Sequence, residues 1–362
     1  MIKYYLFIFI VFLIGEIAQN YNKKYHMIYN IMSSKNNYNY KNIYGLSYVF
    51  LIISFVFMSG FRYYVGTDYG AYYKSVYTWE NVRDSFINFD EPIVKLITFL
   101  VRNIVNDGLA VIFVLALITI LLCFYGINKY DEGHICDTLL LYIFLGVFGF
   151  SFNGVRQALA VAFIFAFSGE KKSILNNIIV ILIAFLIHKS ALFVLPILII
   201  AQRKIDKKQV IIIIVSAFVL PLFFDRFYSF MGVSSSNLEA MEYATHTINP
   251  IRIIVSFAPL VLLLFLKNKK NFFEKYSFLV NMVFVNAMLT VTTANSALLN
   301  RMVQYTCVYI SLYIPKYRQY MKTKNDELLF MGIILMLYFI FWQRELGDEF
   351  IFRFGFGHWG EY

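Results

Sequence analysis

A chain of 362 residues in which 60% are apolar and only 15% charged cannot be an ordinary soluble domain, where about a quarter of residues carry charge. Its net charge of +10 would point a soluble protein towards nucleic acid, but the basic residues fall in short loops between oily runs, so no nucleic acid is implicated. The apolar runs are long and uninterrupted, which excludes a barrel of alternating strands and predicts an all-α, polytopic transmembrane helical bundle, each crossing taking roughly 20 residues.

The first run, "YYLFIFIVFLIGEIA" (4–18), has one leading lysine and no small-residue cleavage site, so it reads as a retained first helix. A second run, 43–60, ends in "FRYYVGTDYGAYY" (61–73), where Arg62 and Asp68 flank a glycine turn among Tyr63, Tyr64, Tyr69, Tyr72 and Tyr73. The linker 61–107 is long and contains the amphipathic "PIVKLITFLVRNIV", as an extracytoplasmic loop that forms a lid would. Further apolar runs cover 108–127, 138–168, 174–201, 210–224, 251–266, 276–295, 302–314 and 328–342, with a second outer loop at 225–250. The runs 138–168 and 174–201 are too long for one crossing and are interrupted by "FNGVRQ" and "HKS". The chain is thus expected to be a single integral membrane domain, 1–362, with about ten to twelve membrane segments, or fewer crossings plus two re-entrant hairpins. Cys123, Cys136 and Cys307 are isolated, so neither a disulfide framework nor a zinc site is indicated.

Short loops rich in Lys and Arg stay in the cytoplasm, and four are plain: Lys23 to Lys41, "QRKIDKKQ", "KNKKNFFEK" and "PKYRQYMKTK". Lys171 and Lys172 precede the run 174–201 and "RKIDKK" follows it, so both ends lie inside and His188 sits at the far tip. If the weakly charged loop 128–137 is cytoplasmic, the run 138–168 also turns back, which puts Asn153, Arg156 and Gln157 at its far tip. Arg62, Asp68, Arg156, Gln157, His188, Lys189 and Arg301 then share the outer face. Ionisable side chains near hydrocarbon cost on the order of 2.5 to 3.5 kcal/mol at mid-helix and usually mark a site or pathway. Each also has a plainer role: Arg62 and Lys189 as snorkelling anchors, Asp68 as a turn residue, the tyrosines as an interfacial belt.

Arginine forks bind phosphate oxygens bidentately, and aromatic rings stack on sugar faces, so a lipid-linked sugar diphosphate suits this set. "FRYYVGTDYGAYY" resembles the arginine, glycine, aspartate and tyrosine motif of the EpsG family of exopolysaccharide polymerases, relatives of the Wzy-type O-antigen and capsule polymerases. Further matches follow in order: "DEPIVKLI" (90–97), "FNGVRQALAVAFIFAF" (152–167), "HKSALFVLP" (188–196) and "NRMVQY" (300–305). Together they span most of 44–315, while the ending "FGFGHWGEY" departs from the family.

The resemblance implies a GT-C-like, metal-independent and cofactor-free glycosyltransferase in a bacterial cytoplasmic membrane. It would transfer a growing glycan from undecaprenyl diphosphate to a lipid-linked repeat unit at the outer face, alongside a flippase and a chain-length regulator. Arg62, Arg156 and Arg301 would hold the diphosphate, with Arg156 also catalytic. Asp68 or His188 would take the acceptor proton, and Tyr63, Tyr69, Tyr72, Asn153 and Gln157 would meet sugar. An O-antigen ligase, a flippase or transporter, and a membrane acyltransferase remain the alternatives.

Overall fold

The computed structural model describes the backbone of residues 1–31, 36–78, 82–204, 206–223, 226, 247–266, 269–346 and 352–354. Most of the expected second outer loop and of the final "FGFGHWGEY" lies outside the described residues. Among those described there is no strand, only an isolated bridge between Arg62 and Phe354. The chain is an all-α, multi-pass membrane helical bundle, and it divides into two compact units: residues 1–166 with 323–362, and residues 167–322.

The first unit contains α1 (Ile2–Ile31), α2 (Asn36–Gly60), α3 (Tyr69–Thr78), α4 (Val82–Ile87), α5 (Pro92–Ile104), α6 (Gly108–Tyr130), α7 (Ile135–Phe144), α8 (Val147–Asn153) and α9 (Val155–Phe167). Among the described residues four helices are long and apolar enough to cross a membrane: Ile2–Lys24 within α1, Lys41–Gly60 within α2, α6, and a late helix Lys324–Glu345 that returns to this unit. The pair α7 and α8 makes a fifth if its 47° bend is one broken span. Helix α6 is the most buried of the four and packs on α2, α3 and α5. The late helix shows Leu328, Leu329, Ile333, Met336 and Leu337 outwards and buries Met331, Tyr338 and Trp342, as a helix facing lipid on one side must.

The second unit contains α10 (Ile174–Ile187), a 3₁₀ turn (Lys189–Phe193), α11 (Val194–Ala201), α12 (Lys207–Val219), α13 (Pro250–Phe265), α14 (Lys269–Thr292), α15 (Ala297–Asn300), a 3₁₀ turn (Arg301–Val303) and α16 (Gln304–Tyr313); the late helix is α17. Several apolar helices of both units are short. The polar interruptions explain this. The run 138–168 breaks at Gly146, whose φ is +77°, and again at Gly154, while 174–201 breaks at His188. Against ten to twelve segments expected over the whole chain, length and composition alone qualify four or five helices among the described residues.

Carbonyls freed by such breaks cannot be left bare in hydrocarbon. Asn281 on α14 donates to Ala201 O (3.1 Å) and Arg203 O (2.7 Å), closing the end of α11. One turn on, Asn286 donates to Val303 O (3.2 Å) and Thr306 Oγ1 (3.0 Å), covering the join between the Arg301 turn and α16. Helix α14 is therefore the polar spine of this unit.

Candidate functional site

The turn after α2 exists because of one glycine. Gly66 has φ +95°, and a Cβ there would lie 2.3 Å from Asn153 Oδ1 and 3.0 Å from Phe152 O. Only a residue without a side chain meets both demands. The close approach lets Thr67 N–H donate to Asn153 Oδ1 at 2.9 Å, so "VGTD" docks on the end of α8. Asn153 is the last residue of α8, and Arg156 and Gln157 fall in the first turn of α9. The two most specific segments of the sequence are thus one structural feature.

Arg62 lies beneath that turn and is 1% exposed. It donates to Ser59 O, and its guanidinium sits 5.0 Å from the centroid of the Phe152 ring. Arg62 Nε, Tyr4 Oη and Tyr69 Oη are all buried without a hydrogen-bond partner. Burial pulls the guanidinium down to about 10, against the opposing influence of Tyr69, Tyr4 and Tyr72, so it stays charged at neutral pH. Burial in turn raises the Tyr69 phenol, opposed by Arg62. Expected to grip a diphosphate, Arg62 instead sits under the turn, held by a carbonyl and aromatic faces.

Arg156 is the accessible arginine. Its side chain is 36% exposed, and it donates through Nη1 to Glu91 Oε2, whose side chain is 7% exposed. The guanidinium also lies 5.7 Å from the Tyr72 ring centroid and hydrogen-bonds that side chain, while Nε is buried without a partner. Asp68, partly exposed, precedes α3; its carbonyl accepts from Tyr72 N–H (3.2 Å) and its carboxylate from Thr67 Oγ1 (3.3 Å). Tyr72 therefore bridges Asp68 to the Arg156–Glu91 pair. Burial raises its phenol, Arg156 lowers it, and Asp68 and Glu91 raise it further.

The remaining tyrosines form a ring cluster. Tyr63 meets Tyr69 edge-on at 6.0 Å, Tyr64 meets Tyr69 at 5.0 Å, and Tyr69 stacks on Tyr73 at 6.2 Å. Tyr69 and Tyr72 are buried, Tyr63 and Asn153 half-buried, and Gln157 buried. The end of the chain braces this cluster: Tyr63 N–H donates to Arg353 O at 2.9 Å, Lys3 Nζ donates to Phe352 O at 3.2 Å, and Phe352 packs edge-on against Tyr4.

Two site residues missed by the sequence reading stand out. Glu91 lay inside the quoted "DEPIVKLI" but had no assigned role; its signal was an acid directly before a proline. Phe352 had none, since its partners Lys3 and Tyr4 lie about 350 positions away.

His188 and Arg301 belong to the second unit. His188 ends α10 in extended backbone (φ −154°, ψ 126°), and its carbonyl accepts from Ala191 N–H at 3.0 Å. Arg301 opens the turn after α15. The two segments are tied together by Ser190 Oγ and Tyr305 Oη, both buried and 2.9 Å apart. "HKSALFVLP" and "NRMVQY", separated by about a hundred residues, are neighbours in this unit.

Comparisons with curated proteins and with solved structures yield no match. A family model matches residues 45–347, taking in the Arg62 turn, Glu91, Arg156, His188 and Arg301. By this match over most of its length, the chain belongs to the EpsG family.

Proposed function

We propose that the chain is a polysaccharide repeat-unit polymerase, a glycosyltransferase acting on lipid-linked diphosphates at the outer face of a bacterial cytoplasmic membrane. Family membership supports the polymerase-type role in polysaccharide synthesis. The observation that carries the reading further is Arg156, a partly exposed guanidinium at the start of a helix, held by buried Glu91 and Tyr72 and linked through Tyr72 to Asp68.

In the reaction, a hydroxyl of the acceptor sugar attacks the anomeric carbon of the growing glycan. The carbon–oxygen bond to diphosphate breaks, and diphosphate departs with the electron pair. Catalysis then needs cations placed where that charge develops and a base for the hydroxyl proton. Arg156 supplies the cation, reinforced by the positive end of α9. Glu91 fixes its orientation, and Tyr72 offers an aromatic face alongside. Asp68 is one candidate base; His188, in the second unit, is the other. Arg62 acts as a positioning residue under the turn. Arg301 is a second candidate cation, in keeping with a reaction that consumes two lipid-linked diphosphates, donor and acceptor. A flippase to supply the repeat units and a chain-length regulator are the partners this role calls for.

The test is purified protein in lipid nanodiscs with a synthetic lipid-diphosphate repeat unit. Lipid-linked dimers and longer products are expected. Transfer only to a different glycan acceptor would make the protein a ligase, and movement of substrate across vesicles without bond formation would make it a transporter.

A further inference from the structure

Helix α5, in the first unit, presents three kinds of face. Pro92, Val94 and Thr98 are buried, and the helix packs on α3 and α6. Leu96, Leu100 and Ile104, each four residues from the next and so in one stripe along the helix, are all exposed. Lys95 and Arg102 stand on a third, polar side; Lys95 pairs with Asp90, while Arg102 enters no ion pair among the described residues. Just before α5, Phe86, Ile87 and Phe89 add further exposed apolar side chains.

Two crossing helices fix the depth of this surface. The apolar stretch Lys41–Gly60 of α2 has 20 residues, about 30 Å of helix and the thickness of one hydrocarbon core. Helix α6 runs antiparallel to it: Tyr48 Oη donates to Phe124 O at 2.6 Å, and at the other end the rings of Phe61 and Phe113 lie 5.1 Å apart. The hydrocarbon boundary therefore crosses α6 near Phe113. Gly108, where α6 begins, stands about 7.5 Å beyond that boundary, close to the depth of one headgroup layer. Both ends of α5 are held near this level. Ile104 reaches Gly108 through residues 105–107 alone. At the other end Glu91 accepts from Arg156, Arg156 bonds Tyr72, and the adjoining Tyr73 packs directly on Gly108. A helix about 20 Å long is too short to cross the hydrocarbon core, and with both ends at one level it lies along the membrane.

We propose that α5 is an interfacial helix seated in the headgroup layer, with bilayer phospholipid covering the stripe of Leu96, Leu100 and Ile104 and lipid phosphate meeting Arg102. An apolar face beside a basic one is the pattern by which a helix binds the boundary between headgroups and acyl chains, and the depth set by α2 and α6 places this helix at that boundary. Glu91 is the residue that caps α5, so the lipid seat also sets the depth at which the Glu91 and Arg156 pair is held. A lid closed over Arg156 would instead turn the stripe onto protein, and a second copy of the chain would cover it with another helix.

The test uses the unaltered full-length protein in liposomes of phosphatidylcholine, doped with a phosphatidylcholine that carries a diazirine either at the glycerol end or at the methyl end of one acyl chain. Trypsin cuts after Lys95 and Arg102 and so isolates "LITFLVR" (96–102). After irradiation, the shallow probe should label this peptide and the deep probe should not, while the deep probe marks α17, whose Leu329, Ile333 and Met336 face outwards. Leu100→Asp puts a charge on the stripe and should lose most of the shallow label, with Leu96→Gln as a second variant should the first not fold. Label kept in full by a folded variant would overturn the proposal. Labelling of 96–102 by the deep probe would place the helix in the hydrocarbon core and overturn it. No label there from either probe, with α17 labelled, would mean that water or protein covers the face. Shallow label that appears only when the protein is diluted in lipid would assign the face to a second copy, and either result would overturn the lipid seat.

Discussion

Glu91 holds Arg156 from a left-handed backbone: its φ is 52° and ψ 49°, directly before Pro92, while its buried carboxylate accepts from Arg156 Nη1. A residue preceding proline is pushed towards extended conformations, so this one costs on the order of 1 to 3 kcal/mol. The surrounding structure keeps it there, and the ion pair is the interaction that Glu91 gains. Glu91→Gln should fold, since the amide still accepts from Arg156, with stability within about 2 kcal/mol of the parent. Polymer output should fall by about 10 to 10², the usual effect of a misplaced catalytic group. Arg156→Lys keeps the charge but loses the fork, so single lipid-linked repeats should accumulate without polymer. Normal polymer from Arg156→Lys, measured by gel electrophoresis of extracted glycan, would remove Arg156 from the mechanism.

The Gly66 turn gives a second expectation. Gly66→Ala adds a Cβ 2.3 Å from Asn153 Oδ1 on a backbone at φ +95°, so it should destabilise by about 1 to 3 kcal/mol and reduce activity. In Gly66→Ala with Asn153→Ala the clash is relieved but the backbone cost remains. The double variant should therefore be more stable than the sum of the two single losses predicts. Strict additivity in thermal unfolding would mean that the turn does not dock on Asn153.

Parts of this site were legible because their signals are local. A glycine-containing "VGTD" after an apolar helix, and "NGVR" inside an apolar run, mark a turn and a helix break wherever they pack, and both appear at the expected residues. The break at His188 was legible for the same reason. Burial was not. Arg62 and Arg156 look alike in sequence, each a cation beside oily stretches, yet one is closed under Phe152 and the other is partly exposed. Glu91 sits in an acidic loop and reads as solvated until Arg156, 65 positions away, is placed against it. The run 276–295 falls in α14, which starts in a charged stretch and is kinked at Tyr276, so its apolar part alone did not mark where that helix begins.

The end of the chain should matter through its backbone and its rings rather than its charge. Tyr63 N–H meets the carbonyl of Arg353, while Phe352 is buried against Tyr4 and Phe354 lies 5.2 Å from Phe57. Phe352→Ala should cost about 3 kcal/mol or more through lost packing and loosen the turn, seen as faster hydrogen exchange at Tyr63. Arg353→Ala keeps the carbonyl and should be nearly silent in both stability and activity. A large effect of Arg353→Ala with little from Phe352→Ala would reverse this assignment.

Asp68 and His188 compete for the role of base, and their surroundings make the contest testable. Asp68 lies partly exposed before α3, one hydrogen-bonded tyrosine away from Arg156. It also braces the turn through Thr67 Oγ1 at 3.3 Å. If bracing is its whole function, Asp68→Asn should retain most activity, because the amide still makes turn hydrogen bonds. If Asp68 takes the acceptor proton, the amide cannot do so at neutral pH. The turnover step should then fall by about 10² to 10⁴, with far less change in the concentration of donor needed, since in the proposed mechanism Arg156 and Arg301 hold the diphosphate. The second outcome is the one expected. His188→Gln is the matching variant: it keeps a polar side chain at the end of α10, where the backbone N–H of residue 188 already donates to Ala184 O at 2.9 Å, so folding should be preserved. Initial rates with saturating lipid-linked repeats decide between them. Near-normal turnover by Asp68→Asn together with full loss in His188→Gln would move the base to His188, and strong turnover in both would leave a mechanism in which arginine alone carries the departing charge.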